Sequence, residues 1–425
     1  MKKILIIAPH FPPSNLAAVH RSRLFAQHLP AFGWKPVILT VDEKYYEEVP
    51  DHALVKLLSP DLQVEKASAW KITRPRLVGD IGLRAFYSLY KKAKHLIKKE
   101  SIDFLYIPIP SFYTALLGRW LHSSTGIRYG IDYIDPWVHT FPGSEKKFSR
   151  HWFSSRIAEC LEPVAIKKAS LITGVAPGYF KDALFRNPHL NKSAIHGAMP
   201  YGGEVKDHDM INSMLVSPYI FQKNKNKMQL VYAGAMLPNA YSILEAIFSA
   251  ISNNKDAFTD VEFHFIGTGK SPNDNNGYNI KPLAEKYNLW ETVIYEYPKR
   301  IPYLDVLMHY SIADAIFILG STEAHYTPSK TYQAVLSGKP LYAVLHVDST
   351  AIKVIENSKA GLVLGFHSVQ GASYVEEKFL KSFLLFRNFV KIFEREQVDK
   401  KMFNEYSAYN VTGELARLLD KALVI

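Results

Sequence analysis

Thr327-Pro328-Ser329-Lys330 lies between an apolar run, Ala315–Leu319, and a helical stretch over Thr331–Ser337. Thr327 suits a helix N-cap, Pro328 suits the first helical position, and Gly338 suits a left-handed C-cap. A helix start at the carboxyl end of a parallel strand gathers free N–H groups and the positive end of a dipole. Together these hold an anion such as a diphosphate. For the helix alone, Lys330 in the first turn opposes the dipole; a bound anion reverses that balance. The plainer alternative is a surface lysine on an ordinary capped helix. The polar loop before it, Ser321 to Tyr326, carries Glu323 and His325.

A second group of polar residues falls within the first 140 positions. His10 ends the first apolar run, a favoured ligand position in open parallel sheets, and Ser14 follows a Pro12-Pro13 pair. Arg21 binds a phosphate or positions an acceptor, or it satisfies local carbonyls or pairs with an acid. Asp135 precedes Pro136-Trp137, where a carboxylate orients a hydroxyl or takes its proton, or simply shapes an Asp-Pro turn. The same two readings hold for Asp132. Trp137 is a stacking surface or plain packing. His10, His139 and His325 each read as ligand-facing or structural. Gly267 and Gly269 end a strand, and either let a ligand approach the backbone or make a tight turn.

These residues need elements to position them. Ile4–Ala8, a helical stretch over Arg21–Leu29 stopped by Gly33, and Pro36–Thr40 form a βαβ opening. Phe104–Ile107, Tyr129–Tyr133 and Leu171–Val175 read as further buried strands, with helices at about 83–99 and Ser149–Lys168. Residues 202–227 break the alternation with glycines and the polar run Lys223 to Lys227. A second series follows, with strands at Leu230–Ala233, Val261–Ile266, Thr292–Tyr295, Ala315–Leu319 and Pro340–Leu345. The pattern predicts two doubly wound α/β domains facing across a cleft: residues 1–204 and 229–395, joined by a linker at 205–228. A C-terminal helix within 396–425 is expected to pack back on the first domain.

The 425 residues suggest two or three domains at about 100–200 residues each. Hydrophobic residues make up 48% and charged residues 21%, which suits a folded chain. The single cysteine, Cys160, excludes an internal disulfide. The opening apolar run stops at Pro9, too short for the core of a signal peptide, and no stretch reaches the ~18 apolar residues of a membrane span. A cytoplasmic protein, soluble or peripheral on the inner face of the cell membrane, is expected. Residues 1–200 hold 28 Lys+Arg against 16 Asp+Glu, while the remainder hold 23 against 24. The first half therefore favours an anionic partner, or has a generally basic surface. Arg84–Lys99 interleaves six cations with aromatic and aliphatic residues. That pattern fits a helix lying on an anionic membrane, or a solvated basic face over a packed stripe.

The stretch Ser329 to Pro340, Ser-Lys-Thr-Tyr-Gln-Ala-Val-Leu-Ser-Gly-Lys-Pro, resembles the S/N-K-x-x-E-x-x-x-x-G-K-P segment of retaining GT-B glycosyltransferases of family GT4. Further pieces follow in that family's order. They are the Ile4–Thr40 opening, Asp132 to Trp137 (like D-x-R-D-x-W), Ala169 to Val175, Leu230 to Pro238 (like Y-x-G-x-L-x-P) and Phe265 to Gly269. The resemblance implies a GT-B fold and retaining transfer of a sugar from a nucleoside diphosphate, UDP- or GDP-linked, to a glycan or lipid-linked acceptor. Cell-surface polysaccharide or glycolipid assembly is the implied setting. It also implies donor-binding roles for Thr327, Ser329, Lys330, Gln333, Glu323, Gly267 and Gly269. Catalytic roles fall to Asp135, Lys330 and His325, and acceptor-side roles to His10, Ser14, Arg21, Asp132 and Trp137. Backbone near Lys299–Ile301 is placed by the resemblance against the base. A departing diphosphate is stabilised without a metal by N–H groups plus a lysine, so no metal or other cofactor is expected.

The chain departs from the family at Gln333 (usually an acid), His325 (usually the first acid of a pair), Ala235 (often Arg), Ala17-Ala18 (usually Gly-Gly) and Ile134 (usually Arg). Those departures keep open a non-catalytic relative that binds partners. A nucleotide-sugar epimerase of the same architecture is the enzymatic alternative. A nicotinamide enzyme lacks its G-x-G-x-x-G turn here, since Ala8–Ala18 contains no glycine. No zinc spacing, aromatic RNA motif or helix-turn-helix supports nucleic-acid binding.

Overall fold

The computed structural model describes residues 1–73, 78–139, 146–213, 217–271, 273–368 and 370–424. The chain forms two compact units, Met1–Gly202 together with Ala408–Ile425, and Gly203–Ser407.

Unit 1 opens with β1 (Lys2–Ile7), α1 (Ala17–His28), β2 (Trp34–Val41), β3 (Gln63–Ala67) and α2 (Ile81–Lys99). It continues through β4 (Phe104–Ile109), α3 (Ala115–Thr125), β5 (Arg128–Tyr133), α4 (Arg150–Ile166), β6 (Leu171–Gly174), α5 (Lys181–Arg186), α6 (Leu190–Ser193) and β7 (Ile195–Ala198). All seven strands are parallel, in the order β3-β2-β1-β4-β5-β6-β7. Ile4 to Ile7 and the whole of β4 are buried, as expected of strands covered on both faces.

Unit 2 holds α7 (Val205–Ser213), β8 (Met228–Ala233), α8 (Tyr241–Ser252), β9 (Val261–Ile266), α9 (Lys281–Lys286), β10 (Ile294–Tyr297) and α10 (Tyr303–Ile312). Then come β11 (Ala315–Leu319), α11 (Thr331–Leu336), β12 (Leu341–His346), α12 (Ala351–Asn357), β13 (Gly361–Phe366), α13 (Gly371–Ile392) and α14 (Lys400–Phe403). Its parallel sheet runs β10-β9-β8-β11-β12-β13. Under it, Phe258, Phe379 and Phe383 stack on one another, and Tyr342 lies edge-on to Phe379 and Phe383 and tilted on Phe386. The last helix, α15 (Ala408–Val424), returns to unit 1, where Leu415, Leu418, Leu419 and Ala422 join the core formed by Ile4, Ile6, Phe25 and Leu29.

Both units are doubly wound α/β domains whose strand order reverses beside the first strand: between β1 and β4, and between β8 and β11. Ligands of such sheets bind outside the carboxyl ends of the strands at that reversal. The polar stretch 205–228, expected as a linker, carries α7 and belongs to unit 2; residues 214–216 lie outside the described set. Three strands lacked a sequence signal: β3, β7 and β13. All three are sheet edges, covered less completely than central strands and so without a continuous apolar run. No helix among the described residues is long and apolar enough to cross a membrane.

Candidate functional site

In unit 2 the reversal brings the loops after β8 and β11 together. Thr322 donates its backbone N–H to Asn239 O at 3.0 Å, and its hydroxyl reaches the same oxygen. The β11 loop then runs to Lys330. Here the structure corrects the helix start. Thr327 does not cap a helix; it is buried, and its hydroxyl pairs with that of Thr350 at 2.8 Å. The helix begins only at Thr331, after a turn closed by Thr331 N–H to Pro328 O, and no side chain caps it. With six residues, α11 carries a small dipole, so the charge at this end rests on Lys330. Gly338 closes α11 with a φ of 69°.

Lys330 is half-buried, its Nζ 5.8 Å from the Tyr303 ring centroid. Among the described residues it has no carboxylate partner. Burial, reinforced by the nearby charge of Arg300, lowers its pKa to about 8. Tyr303 is held by Asp207, which accepts its hydroxyl hydrogen bond at 2.8 Å. Gln333 is buried, and its Oε1 accepts from His208 Nε2 at 2.9 Å. That donor-side oxygen thus already has a partner within the unit. Burial lowers the His208 pKa, keeping this a neutral pair. Asp207 and His208 both lie on α7, in the stretch read from sequence as linker, so these two braces went unforeseen. Tyr303 also carried no motif of its own, while Arg300 lies in the Lys299–Ile301 stretch that the resemblance set against the base.

The other donor-side residues sit in the same loops. Glu323 accepts from the Ser321 hydroxyl at 3.2 Å, and His325 and Ser329 are half-buried in the β11 loop. Gly267 turns at φ 73°, and Gly269 packs so tightly that a β-carbon would stand 2.6 Å from Pro298 O. The turn is tied down by Glu296, which accepts from the Thr268 hydroxyl and from the backbone N–H groups of Asn279, Ile280 and Lys281.

In unit 1, His10 follows β1 and donates from Nδ1 to Glu48 Oε1 at 3.0 Å; the buried Ser14 hydroxyl donates to the same oxygen. Burial pushes the Glu48 carboxyl upward, but His10 and Ser14 outweigh it and hold its pKa at about 2. Glu48 was not singled out from sequence, because nothing local marks it: it lies 38 residues from His10. Asp135 is exposed just beyond β5.

Three acceptor-side residues are instead engaged within unit 1. Arg21 and Asp132 are fully buried and saturate one another. Arg21 donates Nε to Oδ2 at 2.6 Å, Nη2 to Oδ1 at 3.0 Å, and Nη1 to the carbonyls of Met199 and Pro200. Thr173 adds a bond to Oδ1, and Tyr106 pairs with Thr173. The pair lies at the carboxyl end of β5. Trp137 is also buried, stacked on Phe112 at 6.0 Å with an interplanar angle of 5° and edge-on to Tyr113. It packs between side chains of its own unit.

No protein-family model matches the chain, and no curated protein matches it in sequence. Solved structures match it along its whole length. A glycosyltransferase from Rickettsia africae aligns with a TM-score of 0.62 at 15% identity, over 99% of this chain and 98% of its own. A sucrose-phosphate synthase from Thermosynechococcus elongatus gives 0.66 at 15%, over 99% and 100%. HepE from Anabaena, in complex with UDP and glucose, gives 0.61 at 14%, over 99% and 100%. The strand orders and these likenesses define the fold as GT-B, two Rossmann-like α/β domains in one chain.

Proposed function

We propose that this chain is a nucleotide-sugar-dependent glycosyltransferase. It moves a sugar from a nucleoside diphosphate to a hydroxyl of a cell-surface polysaccharide or glycolipid acceptor, with retention and without a metal, at the inner face of the membrane. The observation that carries the proposal is Lys330, a half-buried ammonium with no carboxylate partner among the described residues and Arg300 beside it, at the carboxyl edge of a doubly wound sheet. Two close cations there favour a dianionic ligand. As the C1–O bond to the diphosphate breaks, charge builds on the departing phosphate, and Lys330 stabilises it. The acceptor oxygen bonds C1, and its proton leaves to the diphosphate oxygen. Asp135 orients the acceptor hydroxyl and His325 the transferring sugar. The UDP and glucose held by the Anabaena structure support UDP as the first donor base to try.

The test is a thermal-shift series with UDP, GDP, ADP, CMP, NAD and common nucleotide sugars on wild type and Lys330→Ala. A ligand binding only the native state raises the midpoint with its concentration over its dissociation constant. A selective shift with one nucleoside diphosphate, reduced in Lys330→Ala, is expected; no shift with any nucleotide sinks the proposal. One observation favours a second reading, nucleotide binding without transfer: Gln333, where an acid is usual, is bonded to His208. Product analysis with excess acceptor separates transfer, epimerisation and binding alone, and EDTA is expected to leave transfer unchanged.

A further inference from the structure

The basic amphipathic helix singled out in the sequence does not present its apolar side outward. In α2, Ile81, Ala85, Leu89, Ala93 and Leu96 are buried in the unit 1 core, and Lys92 is bonded to Glu65 and to Lys66 O. Its outer face is a solvated basic surface, with Lys91 and Lys94 over Tyr87 and Tyr90.

α4 does the reverse. It packs beside α3 and turns Ala158, Glu162, Ala165 and Ile166 inward. Glu162 is fully buried, accepting from Arg186 at 2.5 and 3.1 Å and from Tyr133 at 3.2 Å. Outward it shows Phe153 (50% exposed), Ile157 (44%) and Val164 (48%). The spacing of four and seven residues puts all three on one stripe. Three exposed hydrophobes on one stripe form a contiguous apolar patch of the kind that marks an interaction surface.

The start of the stripe is an aromatic knob. Phe148, Trp152 and Phe153 contact one another at 5.0 to 6.3 Å, and Arg156 lies 5.6 Å from the Trp152 ring. Phe148 holds a φ of 63°, a left-handed conformation that is unfavourable for a residue with a β-carbon. Its ring is nevertheless 75% exposed, so little packing within the chain offsets that cost. Around the stripe, Lys146, Lys147, Arg156, Lys167 and Lys168 are exposed, against one exposed acid on α4, Glu159, which pairs with Arg156.

We propose that the outer face of α4, with Phe148, docks on an anionic lipid bilayer. The stripe and the aromatic knob enter the boundary between headgroups and acyl chains, and the flanking lysines bind headgroup phosphates. The charge selects this occupant. An exposed apolar stripe alone would suit a second copy of the chain, but two copies meeting stripe to stripe would bring five cations on each side together. The proposal deepens the reading of a membrane-side acceptor, and its test requires no sugar transfer, so either can fail alone.

The experiment is vesicle flotation of the full chain, on phosphatidylcholine alone and on phosphatidylcholine with phosphatidylglycerol. Wild type is expected to float only with the anionic vesicles, and less at high salt. Phe153→Asp/Ile157→Asp and Lys146→Glu/Lys147→Glu should each lower the partition coefficient at least about tenfold. Their thermal midpoints should be unchanged, because all four side chains are exposed. Phe185→Asp, a more exposed site on α5, should float like wild type. The proposal is overturned if wild type ignores anionic vesicles, or if Lys91→Glu/Lys94→Glu on α2 abolishes flotation while the α4 variants do not. It is also overturned if sedimentation shows a dimer that Phe153→Asp/Ile157→Asp dissociates, with no vesicle binding.

Discussion

Lys330 and Arg21 show how differently two cations in one fold are used. Arg21 has four of its five N–H donors answered by protein, and Asp132 answers its charge. Removing one partner of such a buried pair leaves an uncompensated charge, which costs about 3–5 kcal/mol. Asp132→Ala should therefore lower urea stability by that amount, while Arg21→Met/Asp132→Leu recovers much of it. Equal losses in the single and double variants would contradict the pairing. Lys330 instead has a depressed pKa, about 8. Between that value and the ordinary lysine range the unfolded chain binds more protons than the native one, so this group destabilises the fold below pH 8 and the penalty fades as pH rises. A bound diphosphate restores the proton. Near pH 8, nucleotide binding is expected to take up about half a proton per site, and affinity should fall roughly tenfold per pH unit above that. Calorimetry in buffers of different ionisation enthalpy measures the uptake; Lys330→Arg should abolish it.

Elements decide what these residues can reach. The loop after β1 and the segment after β2 are joined through Glu48, which His10 and Ser14 hold anionic. Its folded pKa, about 2, is below the unfolded value near 4.5, so its contribution is complete above that value and lost as pH falls from 4.5 toward 2. The lost stability is on the order of 3 kcal/mol. Urea midpoints from pH 6 to pH 3 should decline less for Glu48→Gln than for wild type; parallel declines would show that Glu48 is not the group titrating. In unit 2, α7 braces Tyr303 and Gln333 through Asp207 and His208. Gln333→Glu would place a carboxylate against His208, and the imidazole pKa, now lowered by burial, should rise by about one unit or more, read by NMR titration.

At the scale of the molecule, unit 2 is one continuous segment and unit 1 is not. The α15 residues Leu415, Leu418, Leu419 and Ala422 complete the core under β1. A fragment ending at Gly202 should therefore be unstable, whereas residues 203–407 should fold alone. Proteolysis and circular dichroism of the two fragments check this, and a protease-resistant 1–202 fragment would contradict it.

The sequence by itself determined the two doubly wound series, because central parallel strands such as Ile4 to Ile7 and Val261 to Ile266 must be apolar throughout, and that run is visible locally. It also marked the end of α11 through Gly338. It did not show three of the four edge strands, whose one open side relaxes the pattern, or α7, whose Asp207 and His208 brace other polar residues. Only the tertiary structure decided that Arg21 and Asp132 are spent on each other across 111 positions, that Trp137 lies against Phe112, and that α4 rather than α2 turns its hydrophobes outward. A residue's type and spacing state what it can do; which of those things it does depends on what lies against it, and that is set by contacts far apart in the chain.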